Sequence, residues 1–522
     1  MMNKNKLLSV ISKNSTYTIL FNIWYLGSKV AIAPFVLSYV SLNEYGLWTY
    51  CFIILSYLSF TAFGVNTTYI RYAALYRAKN ENDKLNQLLS TGVFSMIIIS
   101  SIILIILYFV TPGLINLLGL DEKLRKTSEM MVMGTAVIFV LNLSLDGFKC
   151  ILEGEQRIDI VKKIQFLASL VEIILIIVFF KNGFGIFSLL YAYGIRYILI
   201  ILSCAVISYY IFPELKVSLF QYRICQLKKF TSYGNKMSVL SVISMIINSM
   251  DRIIITKFLN LELTAIYELG RKFPNIGLML PSSIAGTLIP CVSHLEGSSQ
   301  KDRIREVYLK GTRYLMMFSV FLYGYLIFFG DVVMKIWLGE GFETPATVMQ
   351  ILAIAGLVNL LTGAGTSCLR GMGKPSLEIK SMVINLILIL MTAPFLISWG
   401  LTGIAISYIT GEIISSLYFI YVINKKFEIN MVIFFENVLK PLIPVLISFI
   451  PIKIIISYIL ANCIVGQFWL FIILAITSVF HVASVLALFY FYREIFFTEE
   501  ENEKIREIAV HLLPNHKTAE FK

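Results

Sequence analysis

The sequence predicts an all-α polytopic membrane protein of about fourteen transmembrane helices, with two pseudo-symmetric six-helix lobes and two extra C-terminal helices. Three observations predict it. Of the 522 residues, 57% are hydrophobic and 15% charged, with a mean hydropathy of +0.79. Soluble domains carry roughly 25% charged residues. The apolar stretches are continuous runs such as Ser95–Val110. That excludes barrel strands, which would alternate in polarity, and lipid leaves the backbone no other solution than helices. The second half also echoes the first at an offset of 219 residues. A water-soluble enzyme and a disordered chain are both excluded by this composition.

Taken in order, stretches long enough to span fall near 16–40, 45–68, 88–110, 128–148, 164–180, 185–211, 234–258, 264–293, 314–329, 346–369, 381–397, 402–424, 441–459 and 468–492. The basic start, Met1 to Lys13, lacks a small-residue cleavage site, so Tyr17 onward reads as a retained first helix. With the N-terminus inside, the inner segments and loops hold 27 Lys and Arg. The outer loops hold five: Lys123, Arg125, Lys126, Lys181 and Lys335. This split predicts that both termini are cytoplasmic. It also accounts for much of the net charge of +12 without a nucleic-acid partner. The longest outer loop is expected at about 111–127.

The expected organisation is an N-lobe over 1–211, a cytoplasmic basic linker over 212–233 and a C-lobe over 234–424. Two further helices follow over 425–492, then a charged amphipathic cytoplasmic tail over 493–522. Leu47-Trp48 aligns with Ile266-Tyr267, Asp83-Lys84-Leu85 with Asp302-Arg303-Ile304, Gly92 with Gly311 and Gly154 with Gly373. Six spans separate each pair, so the repeats are parallel, with a pseudo-two-fold axis along the membrane normal. Two lobes around a central site is transporter architecture.

Metal and catalytic chemistry find no footing. The seven cysteines are scattered without a CxxC, and no HExxH occurs among the four histidines. Arg370-Gly371-Met372-Gly373-Lys374-Pro375 lacks the upstream glycine and the Ser/Thr of a nucleotide loop, and reads as an inner turn. Asp146 and Lys149 are expected to pair with each other. No catalytic residue, metal ligand or cofactor is expected.

Four motifs stand in a fixed order. They are Leu42-Asn43-Glu44-Tyr45-Gly46-Leu47-Trp48, Ser249-Met250-Asp251-Arg252-Ile253-Ile254-Ile255, Ile336-Trp337-Leu338-Gly339-Glu340-Gly341-Phe342 and Leu369-Arg370-Gly371-Met372-Gly373-Lys374-Pro375. With fourteen spans, the chain resembles the polysaccharide flippases of O-antigen (Wzx) type, in the multidrug/oligosaccharidyl-lipid/polysaccharide (MOP) exporter superfamily. The resemblance implies movement of an undecaprenyl-diphosphate-linked oligosaccharide across a bacterial inner membrane by alternating access. It implies coupling to a proton or sodium gradient or to membrane potential. It also implies partners outside the membrane: a polysaccharide polymerase or ligase, and a chain-length regulator. A drug exporter and a lipid II flippase are alternatives within the superfamily, and a membrane glycosyltransferase, polymerase or ligase is the alternative from another class.

Charges at membrane depth are costly and face protein interior or cavity. Lys29, near the middle of the first span, has no carboxylate in its own helix or the next, and is the leading candidate for a diphosphate contact. Its repeat equivalent, Asn248, is a second polar candidate. Glu172 and Arg196 face one another as an ion pair, or as a cavity cation tuned by a carboxylate that could also carry a coupling proton. Glu412 is a further coupling candidate. Asp251, Arg252, Glu268, Arg271 and Lys272 form an expected network at one depth, in which Asp251 and Arg271 could pair. Arg71 is positive-inside charge or an entry contact. Pro274 and Pro281 are expected to kink the eighth span, as a bending element between inward- and outward-open states.

Overall fold

The computed structural model describes residues 4–58, 65–117, 122–462 and 466–491. The expected tail over 493–522 lies outside the described residues. The described residues divide into two compact units, one of the residues up to 269 together with 390–404, the other of residues 270–389 together with 405–491.

Among the described residues the first unit is built of helices joined by short segments. Its helices are α1 (Lys4–Ala31), α2 (Ala33–Leu37), α3 (Leu42–Leu58), α4 (Val65–Ala78), α5 (Asn82–Leu117), α6 (Glu122–Leu145), α7 (Gly147–Gly154), α8 (Ile158–Lys181), α9 (Phe187–Ile211) and α10 (Ile224–Phe258). Pro34 takes an early position in α2, where its missing N–H costs nothing, and the first span continues through it to Leu37. Lys29 lies in the last turn of α1, near the middle of the candidate span Thr16–Leu37 that runs on through α2. The outer loop expected over 111–127 is mostly helix: α5 runs through Pro112 to Leu117 and α6 starts at Glu122.

The basic segment after α9 is not a loose linker. Asn86 donates to the Glu214 carbonyl at 2.8 Å and accepts from the Lys216 N–H at 2.9 Å. Ser90 Oγ accepts from Ser218 N–H at 3.1 Å, and Thr91 Oγ1 from Arg223 N–H at 3.0 Å. These buried α5 side chains hold the segment along the helix, and α10 has already begun at Ile224.

The second unit holds α12 (Leu288–Gly297), α13 (Lys301–Leu338), α14 (Glu343–Gly371), α17 (Met431–Val438), α18 (Leu442–Asn462) and α19 (Gln467–Phe491). Three helices cross the division between units: α11 (Leu261–Gly286), α15 (Ser376–Leu396) and α16 (Gly400–Lys426). Fully buried Tyr308, Tyr323, Phe329, Phe434 and Phe449 centre the core of this unit. Its α11 continues as one helix through Pro274 and Pro281. The turn predicted after residue 369 is present, with Gly373 at φ +67° and the Arg370 guanidinium on the Glu378 carboxylate.

Eleven stretches among the described residues are long and apolar enough to cross a membrane. One of them, Ser376–Lys426, contains both α15 and α16. The other expected spans without a stretch of their own coincide with α3 and α10. Large apolar side chains face outward along these helices, Ile98, Ile105 and Phe109 among them. That is the surface a lipid-embedded helix presents.

The internal repeat is visible in the element order. Helix α3 starts at Leu42 and α11 at Leu261, α5 at Asn82 and α13 at Lys301, each pair 219 residues apart. The packing repeats too. A Cβ on Gly154 would meet the Ile70 carbonyl oxygen at 2.7 Å, and one on Gly371 would meet that of Ile289 at 2.8 Å. Residues 70 and 289 stand at the predicted offset. The glycine contact lies two residues before the expected Gly373.

Candidate functional site

The first unit gathers charge from three helices. Lys29 on α1 reaches Oε1 of Glu172 on α8 at 2.7 Å. Arg196 on α9 lies 3.6 Å from Oε2 of the same carboxylate. Glu172 is 2% exposed and Arg196 5%. The ion pair expected between Glu172 and Arg196 is thus present, and Lys29 joins it across a helix that sequence proximity did not suggest. The three groups together carry one more positive than negative charge.

Aromatic side chains enclose this group. Arg196 donates to the Tyr25 hydroxyl at 3.1 Å and stacks over the rings of Tyr25 and Tyr197 at 4.6 and 5.1 Å. Tyr197 packs on Tyr193, and Tyr193 packs edge-on against Trp48 and Phe52. Trp24 donates to Ser169 at 2.8 Å, one turn from Glu172. Cations on aromatic faces keep favourable electrostatics where water is scarce. Rings with polar tips also offer flat apolar faces and hydrogen bonds together. The sequence reading missed Tyr25, Tyr193 and Tyr197. Their signal was the i, i+3, i+4 spacing of 193, 196 and 197, which places three residues on one helix face.

The α10–α11 hairpin carries a second cluster. Arg252 pairs with Glu268 at 3.4 Å and donates to the Asn248 carbonyl at 3.0 Å. Asp251, 1% exposed, accepts from the Tyr267 hydroxyl at 2.9 Å. Asn248 is exposed and its amide turns back to Ser244. In the second unit Arg271 lies over the Tyr408 ring at 5.7 Å and Lys272 over Trp337 at 5.8 Å. Arg71, exposed on α4, lies over the Tyr72 ring at 5.6 Å.

Glu412 stands apart in the second unit, held by two asparagine amides. Asp146 and Lys149 pair at 2.6 Å as expected. Among the described residues no group of three His, Cys, Asp or Glu is arranged to hold a metal.

Comparison with known proteins bears on the family and the fold. The family described as "Polysaccharide biosynthesis protein" matches residues 39–347. A Shigella flexneri protein named for O-antigen transport is 22% identical over 381 residues, covering 72% of this chain and 88% of that protein. Among solved structures, the lipid II flippase MurJ in an inward closed conformation superposes with a TM-score of 0.66 at 15% identity, covering 93% of this chain and 99% of that one. An inward-facing multidrug resistance MATE transporter of the MOP superfamily gives 0.61 at 15% identity, covering 80% and 94%. At such identities these structures show a shared fold.

Proposed function

Since the chain belongs to the polysaccharide biosynthesis protein family and has the MOP-type fold of a multi-pass membrane protein, we propose that it is a flippase for an undecaprenyl-diphosphate-linked oligosaccharide. It moves the repeat unit from the inner to the outer leaflet of a bacterial inner membrane, for surface polysaccharide of O-antigen or capsule type. The observation that carries this reading is the Lys29–Glu172–Arg196 group with its aromatic wall. A diphosphate is anionic and cannot cross hydrocarbon unaided. A site with surplus positive charge at span depth lowers that barrier. Glu172 holds both cations in place and moderates their charge, so the anion is bound and released rather than trapped. The rings of Tyr25, Tyr193, Tyr197 and Trp48 suit sugar faces.

On this reading the chain works by alternating access between two six-helix lobes, with fourteen crossings and both termini in the cytoplasm. It performs no covalent chemistry. Arg252, Arg271 and Lys272 add positive charge along the path, with Asp251 and Glu268 as their counter-charges. Asn248 offers a polar contact and Arg71 one near the inner entrance. A polymerase with its chain-length regulator takes the product outside.

The test is the location of lipid-linked oligosaccharide in cells lacking the protein. Accumulation on the inner leaflet, with surface polysaccharide lost and restored by the intact gene, is the expected result. Repeat units displayed outside but left unpolymerised would assign the chain to polymerisation instead.

A further inference from the structure

The last part of α13 is bent. Phe329 leaves helical geometry, at φ −123° and ψ 21°, inside a helix that runs on to Leu338. A side chain is built into the bend: Gln350 of α14 donates to the Ile327 carbonyl at 3.1 Å. Gly330 makes room for it, because a Cβ there would lie 2.7 Å from the Gln350 side chain. A side chain inserted into the helical ladder is a known cause of a kink. Beyond the bend, α13, α14, α18 and α19 surround an open cavity of about 320 Å³.

Two charges at this cavity lie deeper than a helix end. Asp331, in the lining, accepts from Lys453 of α18 at 3.2 Å. Each stands about 10 Å inside the end of its apolar stretch, Lys301–Leu338 and Leu442–Leu460. Their side chains are nevertheless 55% and 36% exposed. Charge left open to hydrocarbon at that depth is costly, so the pair calls for a polar neighbour in the cavity. Tyr458 and Trp469 stand exposed at the same ends of α18 and α19, as such rings do at headgroup level.

The rest of the lining offers both signs of charge beside an apolar wall. Val332, Phe342, Leu460 and Leu470 form the wall. Lys335 supplies an ammonium. Its partner at 2.7 Å, Glu340, is 80% exposed, and a bridge so open to solvent is easily exchanged. Glu343 supplies a carboxylate that accepts from the Gly341 N–H at 3.3 Å. Among the described residues no Lys or Arg pairs with Glu343.

We propose that this cavity binds the headgroup of an ethanolamine phospholipid, its ammonium on Asp331 and Glu343 and its phosphate on Lys335. A primary ammonium brings three N–H donors to the carboxylates. A choline headgroup brings none, and a glycerol headgroup brings no positive charge. The volume is at the small end of ligand sites, which run from roughly 300 to 1,000 Å³, so it suits a headgroup better than an oligosaccharide. The apolar wall and the exposed rings receive the acyl chains, which favours the lipid over a free headgroup. The site stands whatever cargo the chain carries, because its test reads binding and not transport.

The experiment is thermal unfolding of the purified, delipidated full-length protein in detergent. It is titrated with dioleoyl phosphatidylethanolamine, phosphatidylcholine or phosphatidylglycerol, and separately with soluble phosphoethanolamine. Phosphatidylethanolamine is expected to raise the Tm with a midpoint about tenfold lower than the other two lipids, and Glu343→Gln to abolish that preference. No rise with phosphatidylethanolamine, or equal midpoints for the three lipids, overturns the proposal, as does a preference that persists in Glu343→Gln. An equal rise with soluble phosphoethanolamine at the same concentration overturns the lipid assignment and makes the free zwitterion the ligand. If Glu343→Gln fails to fold, Lys335→Gln decides. Its midpoint for phosphatidylethanolamine is expected to weaken about tenfold, and an unchanged midpoint overturns the proposal.

Discussion

The Lys29 ammonium lies 2.7 Å from Oε1 of Glu172, a carboxylate 143 residues further along the chain. Removing each partner has different consequences. Glu172→Gln leaves Lys29 and buried Arg196 as neighbouring cations without their shared counter-charge, at a cost of about 3–5 kcal/mol for a buried pair. Lys29→Ala leaves the Glu172–Arg196 contact, and Lys29 is the more exposed partner. Melting in detergent should therefore fall further for Glu172→Gln than for Lys29→Ala. Lys29→Gln combined with Glu172→Gln should recover part of the loss. On the flippase reading, Lys29→Ala should be well folded yet fail to restore surface polysaccharide.

Gly46 admits no side chain. Its Cβ would fall 2.1 Å from the carbonyl oxygen of Leu261, where α3 meets the start of α11. Gly46→Ala must push two helix backbones apart, and we expect about 3 kcal/mol of destabilisation or more. Gly27→Ala is the control. No atom lies within 4 Å of its would-be Cβ, and alanine favours a helix. Yield and Tm of the two variants side by side check this, and equal behaviour would refute the packing argument.

Tyr323 is fully buried and donates to the Pro274 carbonyl at 2.8 Å. Gly356 and Gly277 flank its ring: added Cβ atoms would meet it at 2.7 and 3.1 Å. Gly356→Ala should therefore cost more than Gly277→Ala. Tyr323→Phe keeps the ring and loses one hydrogen bond, about 1 kcal/mol. If the proline segment of α11 bends during transport, Tyr323→Phe should also alter transport rate more than it alters stability. A rate unchanged in Tyr323→Phe, with Tm lowered, would leave the residue a purely structural role.

His481 on α19 uses both ring nitrogens. Nδ1 contacts the Tyr325 hydroxyl of α13 at 2.9 Å, and Nε2 contacts Ser448 of α18. His481→Leu removes one hydrogen-bond partner from each of two partly buried hydroxyls, of which Ser448 keeps its bond to the Val445 carbonyl, and should cost about 1 kcal/mol. Adding Tyr325→Phe and Ser448→Ala should restore most of it, as unfolding in detergent would show. Failure to recover would mean that the imidazole ring, stacked on Phe321 and edge-on to Phe449, matters through packing.

The helices and the repeat were legible because lipid imposes one rule on every residue of a span. Apolar runs had to be helices, and a doubled domain kept its spacing, as Leu42 and Leu261 show. Ion partners were less legible. Glu172 and Arg196 were found because their helices are consecutive, whereas Lys29 meets Glu172 through a packing of α1 on α8 that no local pattern encodes. The asparagines around Glu412 were invisible for the same reason: a neutral amide in an apolar helix gives no sign of what it faces. The extension of α5 through Pro112 was missed because Pro and Gly at 112–113 read as a loop, yet a membrane helix tolerates them near its end.

The segment from Glu214 to Arg223 joins the last helix of the first repeat to the first helix of the second, and α5 grips it by Asn86, Ser90 and Thr91. A slack tether would let α10 shift unnoticed. A strap stitched at this many points transmits force: displacement of the start of α10 pulls on α5 before it can be taken up elsewhere. The joint between the repeats is thus a mechanical linkage. An epitope spliced between 214 and 223 would have to unpick it.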